Sequence, residues 1–329
     1  MNLVLRNSVS RSCVCMLVLM LGVPFGYVDA QQAWPTKPIR VIVPAPAGGL
    51  TDVVARTVGE RLTEELGQPL IIENRGGAGG TIGAAVVAKA TPDGHTILIH
   101  SSSHTVAAAA FTNLPYDPVK DLSPVIPLGS TANVLVVSSA KGYRTVRDLV
   151  AAAKAGPRLL SYAGGLGSAG HLSAERFRLS AGFEALHVPY RGAPQALPDV
   201  ISGRVDFYFS PLLPALPLIG DGQLIALAVS TSQRTRGLPN IPTLAEAGVL
   251  NAEYEFWNAI FVPAQTPRPV VDRLYRSTER ILNIPDVQRK LADFGNVPMN
   301  MSSSEFEQRI KSEISANSIL VKATGLKLD

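Results

Sequence analysis

Six residues, Gly165-Leu166-Gly167-Ser168-Ala169-Gly170, match the spacing G-x-G-x-x-G. A glycine turn of that kind, set between a strand and a helix, lets backbone N–H groups surround an anion. The helix adds a partial positive charge at the same end. A dinucleotide fingerprint also wants an acid about 20 residues on, at the end of the next strand. Here that strand ends His187-Val188-Pro189-Tyr190, with no acid. A small-anion site suited to a carboxylate or a phosphate remains, beside the plainer reading of a tight turn. Two further loops have related chemistry. Pro44-Ala45-Pro46-Ala47-Gly48-Gly49 is a glycine turn stiffened by two prolines, and Thr51 is expected to cap the helix that follows. His100-Ser101-Ser102-Ser103-His104 is a polar loop rich in hydroxyls.

Ser168 and His171 stand three apart at the start of one predicted helix, which raises the alternative of a secreted serine hydrolase. No G-x-S-x-G elbow is present, because Leu166 occupies the place of its first glycine. No acid is assigned to orient the histidine. His95, His100, His104, His171 and His187 show neither H-E-x-x-H nor H-x-H spacing, so no metal site and no cofactor are expected. Arg75 and Arg191 each precede a glycine in a loop. An ion-paired or solvated guanidinium is the plain reading, and Arg191 is also placed to reach an anionic ligand. Phe256 and Trp257 read as packing against a strand between lobes.

Short strands alternate with helices along the chain, which predicts an α/β architecture with mainly parallel sheets. Ile39–Val43, Leu70–Ile72 and Thr96–Ile99 are the first strands. Val134–Val137, Leu159–Ala163, Leu186–Pro189, Val205–Phe209 and Ile225–Val229 form a second set. Thr145–Asp148 has capping-box spacing. Pro269–Leu282, Val287–Phe294 and Ser304–Thr324 carry helical apolar spacing and have no strands of their own. Two lobes follow, with crossings expected near Pro124–Ser130 and Gly248–Val262. The expected division is residues 31–127 for the first part of lobe 1, 128–247 for lobe 2, and 248–329 for a crossing strand and helices returning to lobe 1. Loops at the carboxyl ends of strands from both lobes would meet in one cleft, where open α/β sheets bind ligands.

The chain has 329 residues, 30 basic and 26 acidic, and two cysteines. No long run of like charge occurs, so a nucleic-acid partner is not expected. Arg6 and Arg11 precede an apolar run, Cys13–Val23, which Pro24 and Gly26 break. Val28-Asp29-Ala30 offers small residues at a cleavage site. This is the layout of a secretory signal peptide, residues 1–30. The run would span only about 17 Å as a helix, against a hydrocarbon core of about 30 Å. Cleavage after Ala30 removes Arg6, Arg11, Asp29 and both cysteines. That leaves an exported, periplasmic chain with no disulfide, thiolate nucleophile or Cys-zinc chemistry.

Several segments together resemble the Bug-type periplasmic solute receptors, the binding-protein family of tripartite tricarboxylate transporters. They are Trp34–Arg40 (WPTKPIR), Val43–Asp52 (VPAPAGGLTD), Glu73–Gly80 (ENRGGAGG), Thr91–Gly94 (TPDG), Leu114–Pro118 (LPYDP), His187–Gly192 (HVPYRG) and Pro242–Gly248 (PTLAEAG). The resemblance covers nearly all of Trp34–Asp329. It implies a two-lobed, type II periplasmic-binding-protein fold with a hinge and a central cleft. It also implies a monomeric receptor that closes on a small organic mono- or dicarboxylate and presents it to membrane transporter subunits or a sensor. The family's first ligand loop matches Ala45, Ala47, Gly48, Gly49 and Thr51. Its polar loop matches Ser101, Ser102 and His104, and its second-lobe loop matches Gly165, Ser168, Ala169, Gly170 and His171. Arg191 and Ser210 complete the expected site. Many members carry an Asp where this chain has Ser210, so an amino-acid ligand is not expected.

Overall fold

The computed structural model describes residues 34–325. The signal-peptide reading, its cleavage after Ala30 and both cysteines lie outside the described residues. The chain opens with β1 (Ile39–Val43), α1 (Leu50–Leu66), β2 (Leu70–Asn74), α2 (Thr81–Ala88), β3 (Thr96–Ser101), α3 (Ser103–Ala110) and β4 (Leu122–Thr131). It continues through β5 (Asn133–Ser138), α4 (Val146–Ala155), β6 (Leu160–Gly164), α5 (Ala169–Ala181), β7 (Ala185–Pro189), α6 (Ala193–Ile201), β8 (Phe207–Pro211), α7 (Leu212–Gly220) and β9 (Leu224–Val229). It closes with β10 (Phe256–Pro263), α8 (Arg268–Leu282), α9 (Pro285–Asp293), β11 (Asn296–Val297) and α10 (Ser303–Thr324).

The strands make two sheets, ordered β11-β4-β10-β3-β1-β2 and β7-β6-β8-β5-β9. β1 is an apolar, largely β-branched run buried on both faces, the pattern of a central strand in an α/β sheet. One face of the first sheet, with Val41, Ile97 and Ile260, packs on Val54, Val58 and Leu62 of α1 and on Leu274 and Ile281 of α8. The other face, with Ile42, Leu98 and Phe261, packs on Val87 of α2 and on Phe306 and Ile310 of α10. The three C-terminal helices therefore belong to the first sheet's lobe. The second lobe has its own core, centred on Tyr162, Phe177, Phe207 and Phe209 on one side of its sheet and on Ala196, Val200 and Tyr208 on the other.

Two expectations are corrected. The sheets are mixed rather than mainly parallel: β1 pairs in parallel with β2 and β3, but β10 runs antiparallel to both β3 and β4 in the first sheet, as β5 does to β8 and β9 in the second. β5 and β10, the first strands after each crossing, both run against their neighbours. The proline-punctuated stretch around 114–128 also contains a long strand, β4, which remains in the first sheet to Thr131. The chain therefore leaves that sheet after the expected 127/128 boundary. Prolines cannot donate to a sheet ladder. Here Pro124 and Pro127 stand opposite Phe261 and Ala259, beside register shifts at which β4 carries an extra residue, Val125 and Leu128.

A single residue, Ala132, separates β4 from β5 at the first crossing. The second crossing, residues 230–255, is stitched to the first by Ser230. Its N–H donates to Asn133 O at 2.8 Å, and its carbonyl accepts Tyr254 N–H at 2.7 Å. Its hydroxyl accepts Asn133 N–H at 3.0 Å and donates to Tyr254 O at 2.7 Å. Tyr254 then donates its phenol to Ser102 Oγ at 3.1 Å, and Arg176 of α5 lies over its ring at 5.4 Å.

Phe177 contacts the rings of Phe183, Phe207 and Phe209 with centroids 5.4–6.0 Å away. Truncating such a buried ring costs about 3–5 kcal/mol. Phe177→Ala is expected to lower the urea midpoint of the second lobe accordingly. Ile319→Ala, at an exposed position, should change stability by less than about 0.5 kcal/mol. Urea titrations of both variants followed by circular dichroism are the check.

Candidate functional site

The cleft between the sheets has a volume of about 380 Å³. Three loops expected from the sequence meet there, each at the carboxyl end of a strand. The first joins β1 to α1. Gly49 is the N-cap of α1, with no side-chain cap bond, so Thr51 lies inside the first turn and is not the expected cap. The first N–H groups of a helix have no partner within it, and here Leu50 and Thr51 of that first turn line the cleft, while Gly49 N–H turns back to Pro46 O at 3.1 Å. The loop is held by the buried carboxylate of Asp52. It accepts Gly48 N–H at 2.8 Å, Arg56 Nε at 3.0 Å and Asn74 Nδ2 at 2.9 Å. Asn74 Nδ2 also donates to Ala45 O at 3.1 Å. Burial pushes the Asp52 carboxyl up, but the bonds from Arg56, Gly48 N–H and Asn74 outweigh that and hold it below the ordinary carboxylate range.

The second loop joins β6 to α5. Ser168 is the N-cap, its hydroxyl accepting His171 N–H at 3.3 Å. His171 Nδ1 accepts Gly167 N–H at 3.0 Å, and Ser168 N–H turns back to Gly165 O at 2.8 Å. The N–H groups of Ala169 and Gly170 stay unpaired within the helix and open to the cleft. At Gly170 a Cβ would stand 2.6 Å from Phe209 O, so only glycine lets this helix start lie against β8. Beneath the loop His171 stacks on His187, with ring centroids 4.0 Å apart, and His187 Nε2 meets Gly164 O at 2.9 Å.

The third contribution is Ser101 and Ser103, with Arg191 from the β7–α6 loop opposite. Among the described residues lining the cleft, Arg191 has the only formal charge; no acid lines it, and Arg191 has no ion pair among the described residues. No cluster of histidine, cysteine or acid suited to a metal occurs among the described residues. The surface presented to a guest is thus a set of N–H and O–H donors, one guanidinium and apolar walls. It suits an anion.

Of the expected site residues, Ala45, Gly49, Thr51, Ser101, Gly165, Ser168, Ala169, Gly170 and Arg191 line the cleft. Ala47, Gly48, Ser102, His104, His171 and Ser210 are not among the residues lining it. Gly48 N–H is committed to Asp52, and the hydroxyl of Ser102 accepts the Tyr254 phenol. His104 Nε2 bonds Pro118 O, Ser210 Oγ bonds Pro211 O, and His171 supports the loop from below. The hydrolase pairing of Ser168 with His171 is also accounted for: the serine caps a backbone N–H and the imidazole Nδ1 receives another. Phe256 lines the cleft, whereas Trp257 is buried with its indole N–H on Glu313 Oε2 at 2.9 Å. The sequence reading missed His100, Gly79, Gly80, Thr131, Asn133 and Tyr208, all at the cleft wall. The glycine cluster before α2 was a signal for two of them. Thr131 and Asn133 flank a crossing that the proline pattern concealed.

The model of the tripartite tricarboxylate transporter family receptor matches residues 54–326 of this chain. Protein BugT of Bordetella pertussis is 35% identical over 300 residues, covering 90% of this chain and 92% of BugT. A structure of Rpa4515 from R. palustris with adipate is 34% identical and superposes with a TM-score of 0.81, covering 89% of this chain and 99% of that one. MatC from Rhodopseudomonas palustris with bound malate is 31% identical at a TM-score of 0.77, covering 87% and 99%.

His104 and His171 are both held near pH 4, against 6.5 for a free histidine. Burial is the main cause in each. For His171 the stacked His187 adds to it and Arg178 contributes a little more, while Glu175 opposes. Between those values the unfolded chain binds protons that the folded chain refuses. Stability must therefore rise with pH from about 4 to about 6.5 and level off above. Thermal midpoints measured from pH 4 to 7.5 should show that slope, and His171→Gln should reduce it while the part due to His104 remains.

Proposed function

The chain belongs to the tripartite tricarboxylate transporter receptor family, and from that premise we propose that it captures a small organic mono- or dicarboxylate between its lobes. It then passes the ligand to a tripartite tricarboxylate-type membrane transporter or to a sensor protein. The observation that carries this reading is the cleft's chemistry: helix N-termini and hydroxyls from both lobes, Arg191 as the sole formal charge, and no acid among the described lining residues. A carboxylate supplies the acceptors that these donors lack and balances the guanidinium. The malate and adipate named with the two R. palustris relatives support the same ligand class. The absence of an acid to receive an ammonium argues against an amino acid.

The family is a periplasmic receptor family, not an enzymatic one. In this reading residues 1–30 direct export, cleavage follows Ala30, and the mature protein works as a monomer. Its lobes close about the two crossings, with the returning C-terminal helices moving as part of lobe 1.

Calorimetric titration and thermal-shift measurements with succinate, malate and adipate test the ligand class, using protein freed of co-purified ligand by unfolding and refolding. A ligand at about 100 times its Kd should add about 2.7 kcal/mol of stability. Arg191→Ala should weaken binding by about 1.5–3 kcal/mol, the range for a bond to a charged group, with little change in the unliganded melting temperature. Absence of stabilisation by any carboxylate would overturn the proposal.

A further inference from the structure

Leu166 lines the cleft without joining a core. It is 53% exposed and belongs to none of the apolar clusters among the described residues. Other large apolar side chains at the cleft are anchored from behind. Leu50 packs on the core of lobe 1, Tyr208 lies in that of lobe 2, and Phe256 packs on the cluster around Leu172 and Tyr254. Leaving a leucine half in water forgoes the gain from burying it, and here nothing within its own lobe covers it.

The backbone fixes where Leu166 stands. Ser168 N–H turns back to Gly165 O at 2.8 Å, so Leu166 and Gly167 are the two central residues of a tight turn. Gly167 has φ +70°, and its N–H is fastened to His171 Nδ1 at 3.0 Å. The turn is thus ordered before any guest arrives, and covering its side chain costs little further backbone entropy. The start of α5, with the N–H groups of Ala169 and Gly170, opens to the same cleft three residues on.

We propose that Leu166 is a specificity-determining residue of the cleft, covering the carbon chain of the ligand and selecting longer, apolar-bodied carboxylates over short ones. This rests on the reading of the cleft as a carboxylate site and adds which carboxylates it selects. A ligand whose carboxylate takes the N–H groups at the start of α5 lays its chain against the leucine. Each methylene taken from water in this way is worth a factor of about four in affinity. Two other covers for the side chain, the facing wall of lobe 1 on closure and a partner protein, give different results in the test.

The test is calorimetric titration of the purified mature protein and its variants with two pairs of acids, succinate with adipate and butyrate with hexanoate. The members of a pair carry equal charge and differ only in the length of the methylene chain. Wild-type protein should bind the longer acid of at least one pair about fivefold more tightly or better. Leu166→Ala should weaken that longer acid about fivefold while moving the shorter one less than about twofold. Leu166→Met, which restores apolar bulk, should recover most of the lost ratio. At an exposed position outside every core, neither variant should change the melting temperature of the unliganded protein. Equal weakening of both acids overturns the inference and gives Leu166 the wall of lobe 1 as its cover. Affinities that Leu166→Ala leaves unchanged also overturn it, and leave the side chain to a partner protein or to solvent. Wild-type protein that binds carboxylates without favouring the longer acid of either pair overturns the inference alone. Wild-type protein that binds no carboxylate overturns the reading beneath it and this inference together.

Discussion

The geometry of the molecule depends on how Ser230 fastens its two crossings. Two lobes with separate cores are joined by one residue at Ala132 and by a longer return through residues 230–255. Left independent, two such connections would let the lobes adopt many relative orientations. Ser230 is fully buried and engages both strands at once, with its N–H, carbonyl and hydroxyl all bonded to Asn133 or Tyr254. Each bond is worth only about 1 kcal/mol net, but leaving any of them unmade inside the protein costs about 1–3 kcal/mol. The crossings therefore stay side by side. The helix N-termini of α1 and α5, one from each lobe, then open on the same cleft.

Within that frame both loops solve one problem, the N–H groups that a helix cannot satisfy internally. The protein answers some of them itself. Asp52 takes Gly48 N–H, Ser168 takes His171 N–H, and His171 takes Gly167 N–H. Those bonds rigidify the loops, and the N–H groups remaining at the helix starts face the cleft. The arrangement separates scaffold from site on adjacent atoms: Gly48 serves the loop and Gly49 lines the cleft; His171 serves the loop and Ala169 lines the cleft. An acid in the cleft would repel the anion that these donors suit, and the acids nearest the loops, Asp52 and Glu175, are buried and paired instead.

Much of this was legible in the sequence because it is local. The strand–glycine–helix units around Gly49 and Gly165 follow from short-range patterning, and so do the capping box at Thr145 and the three apolar-striped C-terminal helices. What escaped was non-local. β4 hides behind Pro124 and Pro127 because its bulges at Val125 and Leu128 have meaning only against β10, a partner more than a hundred residues away. Thr51 looks like a cap until the helix is seen to start two residues earlier, at Leu50, with Gly49 as its N-cap. His171 sits beside the ligand loop in sequence but turns its ring onto His187, a partner that only parallel pairing of β6 and β7 brings near.

The separation of the two cores has a consequence for how the protein comes apart. With the cleft open to water, each lobe keeps its own apolar interior, so each can in principle melt at its own temperature. A guest that bonds the helix starts of both lobes at once is lost when either one unfolds. Occupancy then stabilises the two cores by the same amount and against the same event, and two transitions become one. For such a protein the sharpness of unfolding reports the bridge between the lobes, while the midpoint reports how strong that bridge is.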